Sequence, residues 1–303
     1  MYIDLENFQK VYYEKVKPLE EEFENDKVTV RMKMAIIIIV AIAIEFFLYA
    51  AVISSNTEST KLFIYVIVIA AFLCAAVIRN FTNKTKRTIF PTLFKSIDSN
   101  LIYDDVMRIS RDKFIDSNLF ASSNCSYSPQ DCLATKIFDK DVKMCELEVQ
   151  TGSGKNRHTV FSGIFLNIVL DKKMQSDMKI VYNTSKDFGI IKTLFANEDK
   201  VNLENIEFEN EYDVYCSDQI YARKIITLTF MEKLLYATNK LNRRIKISFK
   251  NNNIYIAISG LQLINDSALF SKKIDMMNIA REINDILTII DTISYLDLDE
   301  KIA

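Results

Sequence analysis

The sequence predicts an α+β protein: an N-terminal transmembrane helical hairpin with a helical stalk, followed by a mostly antiparallel sheet packed with two helices. Two apolar runs, Met34–Ile53 and Leu62–Ile78, lie close together near the start of the chain. After residue 131, apolar residues alternate with polar ones in several short segments, which is the period of β-strands. Two later segments, near residues 228–241 and 275–296, have the helical period instead.

The two apolar runs are predicted to cross a bilayer as helices. A helix needs about 20 apolar residues to span a hydrocarbon core, and the second run, with about 17, is near the lower limit. The first run favours insertion by roughly 4–7 kcal/mol, which outweighs the roughly 3 kcal/mol that Glu45 costs near its middle. A pair of buried core helices in a soluble protein is the alternative, and the basic flanks disfavour it.

Basic residues on the flanks of the hairpin predict its orientation. The loop between the spans carries only Lys61, whereas the outer flanks carry Lys27, Arg31, Lys33, Arg79, Lys84, Lys86 and Arg87. Since Lys and Arg favour the cytoplasmic side, we expect both termini in the cytoplasm and the protein in the cell (inner) membrane. The polar stretch before the first span argues against a cleavable signal peptide.

Composition restricts the partners and the compartment. A formal net charge of −2 argues against a general nucleic-acid binder, so we expect no nucleic-acid partner. The five cysteines have no regular spacing and suit a reducing cytoplasm. With five glycines and three prolines there are few positions for phosphate-binding loops, and we expect no cofactor.

Four segments are predicted along the chain: a cytosolic amphipathic helix (1–33), the transmembrane hairpin (34–79), a helical stalk (80–117) and a cytosolic α+β domain (118–303). The first segment has an apolar stripe that begins at Leu5 and Phe8, and Pro18 should bend it. We expect this stripe to pack on a similar one between Ile89 and Leu101. An in-plane membrane helix is the rival interpretation, which the acidic residues of the segment weaken.

The cytosolic domain is predicted to begin with a polar loop, Asn118–Asp131, and to continue as strands. Lys143–Thr151 alternates as a half-buried strand does, Gly152–Asn156 is a turn, and Arg157–Leu170 returns as a second strand. Further strands are expected within Met178–Tyr182 and Ile206–Cys216, and a hairpin is expected from Ile245–Phe249 and Ile254–Ile258 around three asparagines.

Two helices complete the predicted domain. Thr229 and Glu232 have the spacing of a capping box, so we expect the first helix to begin at Thr229. The last helix is expected at Asp275–Leu296. Its isoleucine stripe could cover the sheet, or pair with another helix or a second subunit.

Three segments resemble motifs of a bacterial membrane-protein family whose domain has no known function. They are Phe208–Leu234, Phe161–Phe165 and the pair Ile247–Phe249 with Ile254–Ile258. The chain departs from the family where Phe230 follows Thr229, since the family commonly has proline there. The resemblance implies two N-terminal spans and a cytosolic α+β domain. It implies no activity and no functional residues.

No catalytic or metal-binding motif is complete in the sequence. Thr151–Asn156 lacks two of the residues that a phosphate-binding loop needs, so a hairpin turn is the better interpretation. His158, the single histidine, is too far along the strands from Cys145 for a nucleophilic pair. The cysteines lack the spacing of a zinc site. We therefore assign no catalytic, cofactor-binding or metal-binding residue.

Three residues are candidate functional residues. Glu45 is an acid within a predicted span, where it could pair with the Tyr65 hydroxyl or with a neighbouring subunit. Asp218 and Arg223 are the most plausible polar pair in the family-like segment, with a structural salt bridge or cap as the bland alternative. Arg243, Arg244 and Lys246 could contact acidic headgroups or form a solvated loop.

Three functions remain open. The favoured one is a non-enzymatic, membrane-anchored protein with a cytosolic binding or regulatory domain that binds a partner protein or a small ligand. Its expected partners are the lipid bilayer and a protein or a second copy. The second is an enzyme at the membrane face that uses acids such as Glu146, Glu148 or Asp218. The third is a ligand-gated membrane effector or pore in which Glu45 faces inward.

Overall fold

The computed structural model describes residues 5–55, 60–104, 107–120, 125–137, 139–183 and 199–296. The chain forms two compact units. One consists of Ile3–Ile97 with Asn265–Arg281 and is helical; the other contains Asp98–Ile264 and the chain from Glu282 onward and holds the sheet. The α+β class predicted from the sequence is confirmed.

The helical unit is built on three helices: α1 (Leu5–Val11), α2 (Glu20–Ser55) and α3 (Thr60–Ile97). A π-helical turn, Tyr12–Val16, and a 3-10 turn, Lys17–Leu19, separate α1 from α2. Pro18 lies in the 3-10 turn, where its missing N–H and its ring interrupt the α-helical hydrogen bonds, as predicted. Residues 56–59 of the predicted loop lie outside the described residues.

Side-chain burial changes abruptly along α2 and α3. Before Arg31 and after Arg79 the apolar stripes are buried, with Phe23, Val30, Phe81 and Phe90 all at most 7% exposed. The helix α1 contacts α3, as the expected stalk requires. The helices α2 and α3 are each long and apolar enough to cross a membrane. In each of them, no residue of the most apolar 18-residue window is buried.

A distant segment completes the helical unit, which the sequence did not predict. Asn265–Arg281 contains α8 (Asp266–Ser271) and the first turns of α9 (Met276–Tyr295). The Lys27 ammonium donates to the Lys272 carbonyl, and the Ile274 N–H donates to the Glu24 carboxylate at 2.9 Å. These bonds fix the segment against α2.

The sheet has nine strands in the order β1-β2-β3-β4-β9-β8-β5-β7-β6, and every pairing between described strands is antiparallel. The strands are β1 (Ile102–Tyr103), β2 (Cys125–Ile137), β3 (Lys140–Thr151), β4 (His158–Val169), β5 (Met178–Tyr182), β6 (Lys200–Val201), β7 (Tyr212–Cys216), β8 (Ile245–Lys250) and β9 (Asn253–Ser259). Four further helices accompany them: α4 (Arg111–Asp116), α5 (Ile206–Glu211), α6 (Gln219–Ile225) and α7 (Leu228–Leu241).

Both faces of the central strands are buried. On β3, Cys145 and Leu147 of one face and Met144 and Glu146 of the other are all at most 8% exposed, so the expectation of a half-buried strand was wrong. On the face that carries Cys145, the Phe114 ring of α4 lies 5.2 Å from the Phe165 ring and belongs to one aromatic cluster.

Two local predictions need correction, and a third is made more exact. The expected loop Asn118–Asp131 is a strand from Cys125 onward, in which Pro129 is accommodated at a bulge where β1 does not pair with β2. The strand expected within Ile206–Cys216 is β7, and Ile206–Glu211 before it is helical, because the Asn205 side chain accepts from the Phe208 N–H at its start. The helix α7 begins at Leu228, and its cap is Thr227, two residues before the predicted cap Thr229, since Thr227 accepts from the Phe230 N–H.

The isoleucine stripe of α9 is covered within the chain. Ile279, Ile283, Ile286, Ile290 and Ile293 are at most 4% exposed, so this surface is not open to a second subunit. At the end of α9, the Tyr295 ring lies 5.3 Å from the Tyr236 ring of α7.

Two cysteines are joined across the sheet. Cys132 of β2 is directly opposite Cys145 of β3, and the two form a disulfide. The sequence suggested only unpaired thiols in a reducing compartment, because their separation of 13 residues resembles no motif.

Candidate functional site

A polar cavity of about 430 Å³ opens in the sheet unit where α7 leads into β8. We call it the arginine cavity. Its lining residues are Tyr182, Asn183, Glu211, Thr238, Asn239, Asn242, Arg243 and Arg244.

The end of α7 presents the two arginines. Asn242 adopts the left-handed conformation (φ 49°) that ends many helices, and its N–H donates to the Asn239 carbonyl at 3.2 Å. The Arg243 N–H donates to the Thr238 carbonyl at 3.3 Å. Since α7 ends at Leu241 and β8 begins at Ile245, the link between helix and strand consists of Asn242 and the two arginines. The Ser259 N–H donates to the Arg244 carbonyl at 3.0 Å and holds the link to β9.

Tyr182 lines the arginine cavity and packs against the buried Tyr212. The Arg244 guanidinium lies 5.2 Å from the centre of the Tyr182 ring, and the Tyr182 and Tyr212 rings are 4.9 Å apart. The Tyr212 and Thr238 hydroxyls are hydrogen-bonded. Burial raises the pKa of Tyr182 and that of Tyr212, so both phenols stay neutral. Tyr182 therefore presents an uncharged aromatic surface on which the Arg244 guanidinium rests.

One carboxylate faces the two guanidinium groups. Glu211 ends α5, and its carbonyl accepts from the Asn183 N–H at 2.9 Å. Arginine presents a planar fork of N–H donors that matches carboxylate and phosphate oxygens. With two arginines against one glutamate, the cavity is suited to a ligand that carries an anionic group and a hydrogen-bond donor.

A second cavity of about 700 Å³ lies where α4 meets β8 and β9. The Tyr255 hydroxyl donates to the Asp116 carboxylate at 2.9 Å, and Lys250 pairs with the same carboxylate at 2.9 Å. Lys113 donates to the Asn167 amide oxygen. Burial, followed by the charge of Lys143, lowers the pKa of Lys113.

The charges that line this second cavity balance. Lys113 and Lys250 are matched by Asp112 and Asp116. The arginine cavity has a net positive lining, and it is therefore the stronger candidate for a binding site.

The structure does not bring the predicted polar pair together. The Asp218 carboxylate accepts from the Ile220 and Tyr221 N–H groups at 3.0 and 2.9 Å and so caps α6. The Arg223 guanidinium donates to the Asn202 carbonyl at 3.3 Å. Each side chain thus binds the backbone, the role that was the bland alternative for this pair.

Glu45 lies in the exposed apolar part of α2. Its Oε1 atom is buried and has no hydrogen-bond partner among the described residues. The Tyr65 side chain considered as its partner is 61% exposed. Glu45 remains a candidate residue without an assigned role.

The acids considered for catalysis on β3 have other contacts. The Glu146 carboxylate accepts from the Leu263 N–H at 3.0 Å and is 8% exposed. Glu148 accepts from the Gln150 amide. Within the part of the chain that the structure describes, no group of three or more His, Cys, Asp or Glu residues could hold a metal ion.

The sequence singles out the two arginines but not Tyr182 and Glu211, which line the same cavity. Tyr182 and Glu211 end a strand and a short helix that are distant in sequence, and only the β5–β7 pairing, in which Tyr182 is opposite Tyr212, brings them together. No local pattern signals this proximity.

Comparisons with known proteins agree with an uncharacterised domain. Residues 159–298 match the family model described as "Protein of unknown function (DUF3137)", and this range contains the whole arginine cavity. No curated protein matches the chain. The crystal structure of the mycobacterial trehalose monomycolate transport factor A, TtfA, is similar at 9% identity over 55% of this chain and 71% of that chain, with a TM-score of 0.31. That score is too low to support a conclusion about a shared fold or function.

Proposed function

We propose that the protein is a membrane-anchored binding protein. The observation that carries this proposal is the change of burial along α2 and α3. Packed stripes give way to apolar segments whose side chains are exposed except along the line where the two helices meet. Phe46, Phe47 and Phe72 are 68–73% exposed. Such surfaces are costly in water and favourable in hydrocarbon. The basic flanks support an inner-membrane location with both termini in the cytoplasm.

Membrane fractionation tests the anchor. The full chain should stay in the pellet when membranes are washed with alkaline carbonate, and it should be released only by detergent. Release by carbonate alone would show that the apolar helices are not embedded in lipid.

We further propose that the domain binds a small ligand with a carboxylate or phosphate group in the arginine cavity. Arg243 and Arg244 would contact the anionic group. The Glu211 carboxylate and the surrounding amides would accept donors from the rest of the ligand. This division of roles favours a ligand that is not purely anionic.

Thermal unfolding of the full chain in detergent tests the binding site. Inorganic phosphate and glutamate are the probes, with chloride at matched ionic strength. We expect at least one probe to raise the unfolding temperature. Arg244→Gln should weaken that binding by at least about tenfold, the effect of losing a charge-assisted hydrogen bond. The matched control is Arg157→Gln, which removes an exposed arginine at the β3–β4 turn. Equal responses of the two variants would exclude the cavity.

Glu45 supports a second candidate function, self-assembly through the spans. Its Oε1 atom has no partner in the described residues, and an apolar groove of about 250 Å³, lined by Ile44, Val66 and Ile69 among others, runs along the two helices. A second copy could supply the hydrogen bond that hydrocarbon cannot. If so, Glu45→Leu should reduce cross-linked dimers in membranes, whereas Phe47→Leu, on the same helix, should not.

A further inference from the structure

The helical unit carries a surface at the depth expected for lipid headgroups. This depth assumes the membrane anchor proposed above. Depth below the span can be read from the helices, because an α-helix rises 1.5 Å per residue. Arg31 lies three residues before Met34, about 4.5 Å below the start of the span. Phe81 lies three residues after Ile78 and is at the same depth of about 4.5 Å.

The side chain of Phe270 sits at this level. Its ring centre is 5.9 Å from the Arg31 guanidinium and 6.0 Å from the Phe81 ring. It belongs to α8, nearly 190 residues after Phe81 in sequence. An aromatic ring about 5 Å below the hydrocarbon boundary lies in the interfacial zone where aromatic residues concentrate.

The residues on either side of Phe270 lie deeper in the stalk. Asp266 pairs with Lys86, about 12 Å below the second span. The Lys272 carbonyl accepts from Lys27, about 10 Å below the first span, and Ile274 binds Glu24 at about 15 Å. The segment Asp266–Ile274 therefore rises toward the membrane, reaches its highest point near Phe270 and descends again. We call it the foot.

Near the foot, the exposed charges on the helices are all basic. No Asp or Glu occurs in α2 between Asp26 and Glu45, and α3 contains none. The acids below this zone are paired: Asp26 with Lys84 at 2.8 Å, Glu24 with Lys27 at 2.9 Å, and Asp266 with Lys86. We define the collar as four exposed cations: Arg31, which lies over the Phe270 ring, Lys33 and Arg79, which directly flank the spans, and Lys272, two residues after Phe270.

We propose that the collar and the foot form a binding site for the headgroup of an anionic phospholipid. Three segments that are distant in sequence supply it, so it is a folded site rather than a linear basic stretch. The cations would contact the lipid phosphate, and the Phe270 ring would lie beside the glycerol and upper acyl carbons. The cytoplasmic leaflet is the anionic one, which gives the site a complementary surface.

Reconstitution of the full chain tests the lipid preference. The protein is inserted into vesicles of phosphatidylcholine mixed with phosphatidylglycerol, and the lipids that stay bound are counted by native mass spectrometry. We expect phosphatidylglycerol to be enriched. In the double variant Arg31→Gln, Lys272→Gln, the enrichment of phosphatidylglycerol should fall about fivefold for each cation removed. The matched control, Lys155→Gln with Arg157→Gln at the β3–β4 turn, should keep it.

Fluorescence tests the depth of the foot. The chain has no tryptophan, so Phe270→Trp introduces a single tryptophan, whose emission can be excited apart from that of the tyrosines. A quencher attached to lipid headgroups should reduce its emission, whereas a quencher dissolved in water should act weakly.

The possible outcomes separate the two proposals. Failure to resist carbonate after reconstitution into phosphatidylcholine alone would overturn the membrane anchor itself. Stable insertion with no preference for phosphatidylglycerol would overturn the collar and leave the anchor intact. Equal losses in the collar variant and the turn variant would also overturn it, because the effect would then be general charge attraction.

Discussion

At the scale of single residues, the glycine of the family-like motif Phe161–Phe165 has a clear physical reason. Gly163 has φ +153°, and a Cβ atom there would lie 2.1 Å from the Ile258 carbonyl oxygen on the neighbouring strand. That atom belongs to the backbone of β9 and cannot move aside without disturbing the β4–β9 ladder. Position 163 therefore requires glycine, because the two strands approach each other too closely for a side chain.

We predict that Gly163→Ala lowers the free energy of unfolding by on the order of 3 kcal/mol, through steric strain in the core of the sheet. Urea unfolding of the full chain in detergent measures it. The control is Gly154→Ala: this glycine has φ +56° with nothing within 4 Å of an added Cβ, so its cost should be only about 1 kcal/mol. Equal losses would contradict the strand-contact argument.

Two variants of Asp218 distinguish a helix-capping role from a catalytic one. Because its carboxylate accepts two N–H groups at the start of α6, Asp218→Ala should cost about 1 kcal/mol of stability. Asp218→Asn should cost little, because an amide oxygen also caps helices well. Urea unfolding of the two variants distinguishes the roles. A structural cap predicts that the asparagine variant behaves as wild type in every assay.

At the scale of elements, the contact between the foot and α2 should depend on pH. Partial burial raises the pKa of Glu24, but the hydrogen bond from Ile274 and the ion pair with Lys27 outweigh it, so the pKa is lowered overall from 4.5. A lowered folded-state pKa stabilises the native state above the unfolded value, and this stabilisation is lost as the pH falls through the folded value.

Glu24 should therefore stabilise the helical unit at pH 7 and progressively less below about pH 4.5. Thermal unfolding of wild type and Glu24→Gln between neutral and acidic pH measures the difference. The two curves should differ at pH 7 and converge in acid. A constant difference across the range would show that the carboxylate charge is not what holds the foot.

The Cys132–Cys145 disulfide joins β2 to β3 and reports on the compartment. Closing its 13-residue separation should stabilise the oxidised domain by about 3 kcal/mol. If the domain faces the cytoplasm, cells quenched in acid should yield protein in which all five cysteines are alkylated. After oxidation in vitro, only Cys74, Cys125 and Cys216 should react. Protein from cells with three reactive thiols would contradict the proposed orientation.

Elements with strong periodicity could be predicted from the sequence, and those set by one polar contact could not. The apolar helices and the β8–β9 hairpin match their expected positions because their signals extend over many residues. The helix α5 depends on the Asn205 cap, and α7 starts where Thr227, rather than Thr229, accepts a backbone N–H. Two nearby threonines give equal local signals, and only packing decides between them.

At the scale of the whole molecule, no pattern in the sequence indicates that residues 265–281 belong with the N-terminal helices. The contacts responsible, such as Lys27 with the Lys272 carbonyl, join residues 245 positions apart. The arginine cavity is similar: its arginines stand out in the sequence, but Tyr182 and Glu211 reach it only through strand pairing. Long-range pairing of this kind leaves no periodic signal.

The orientation of the whole chain can be tested with fused reporters. We predict that an enzyme active only outside the cytoplasm is inactive when fused to either terminus, because basic flanks favour the cytoplasmic side and both ends are proposed to lie there. The same enzyme inserted between the two spans should be active. Activity at the carboxyl terminus would reverse the assigned topology.

The nine-stranded sheet ends in β1 and β6, and each of these strands is only two residues long. Full-length outer strands would offer rows of open N–H and C=O groups to any neighbour. On a membrane, as proposed, encounters between copies would be frequent. The strand β1 pairs only with Leu133 and Ala134 of the 13-residue β2, so, among the described residues, the uncovered length of β2 is where a neighbouring copy would add a strand first.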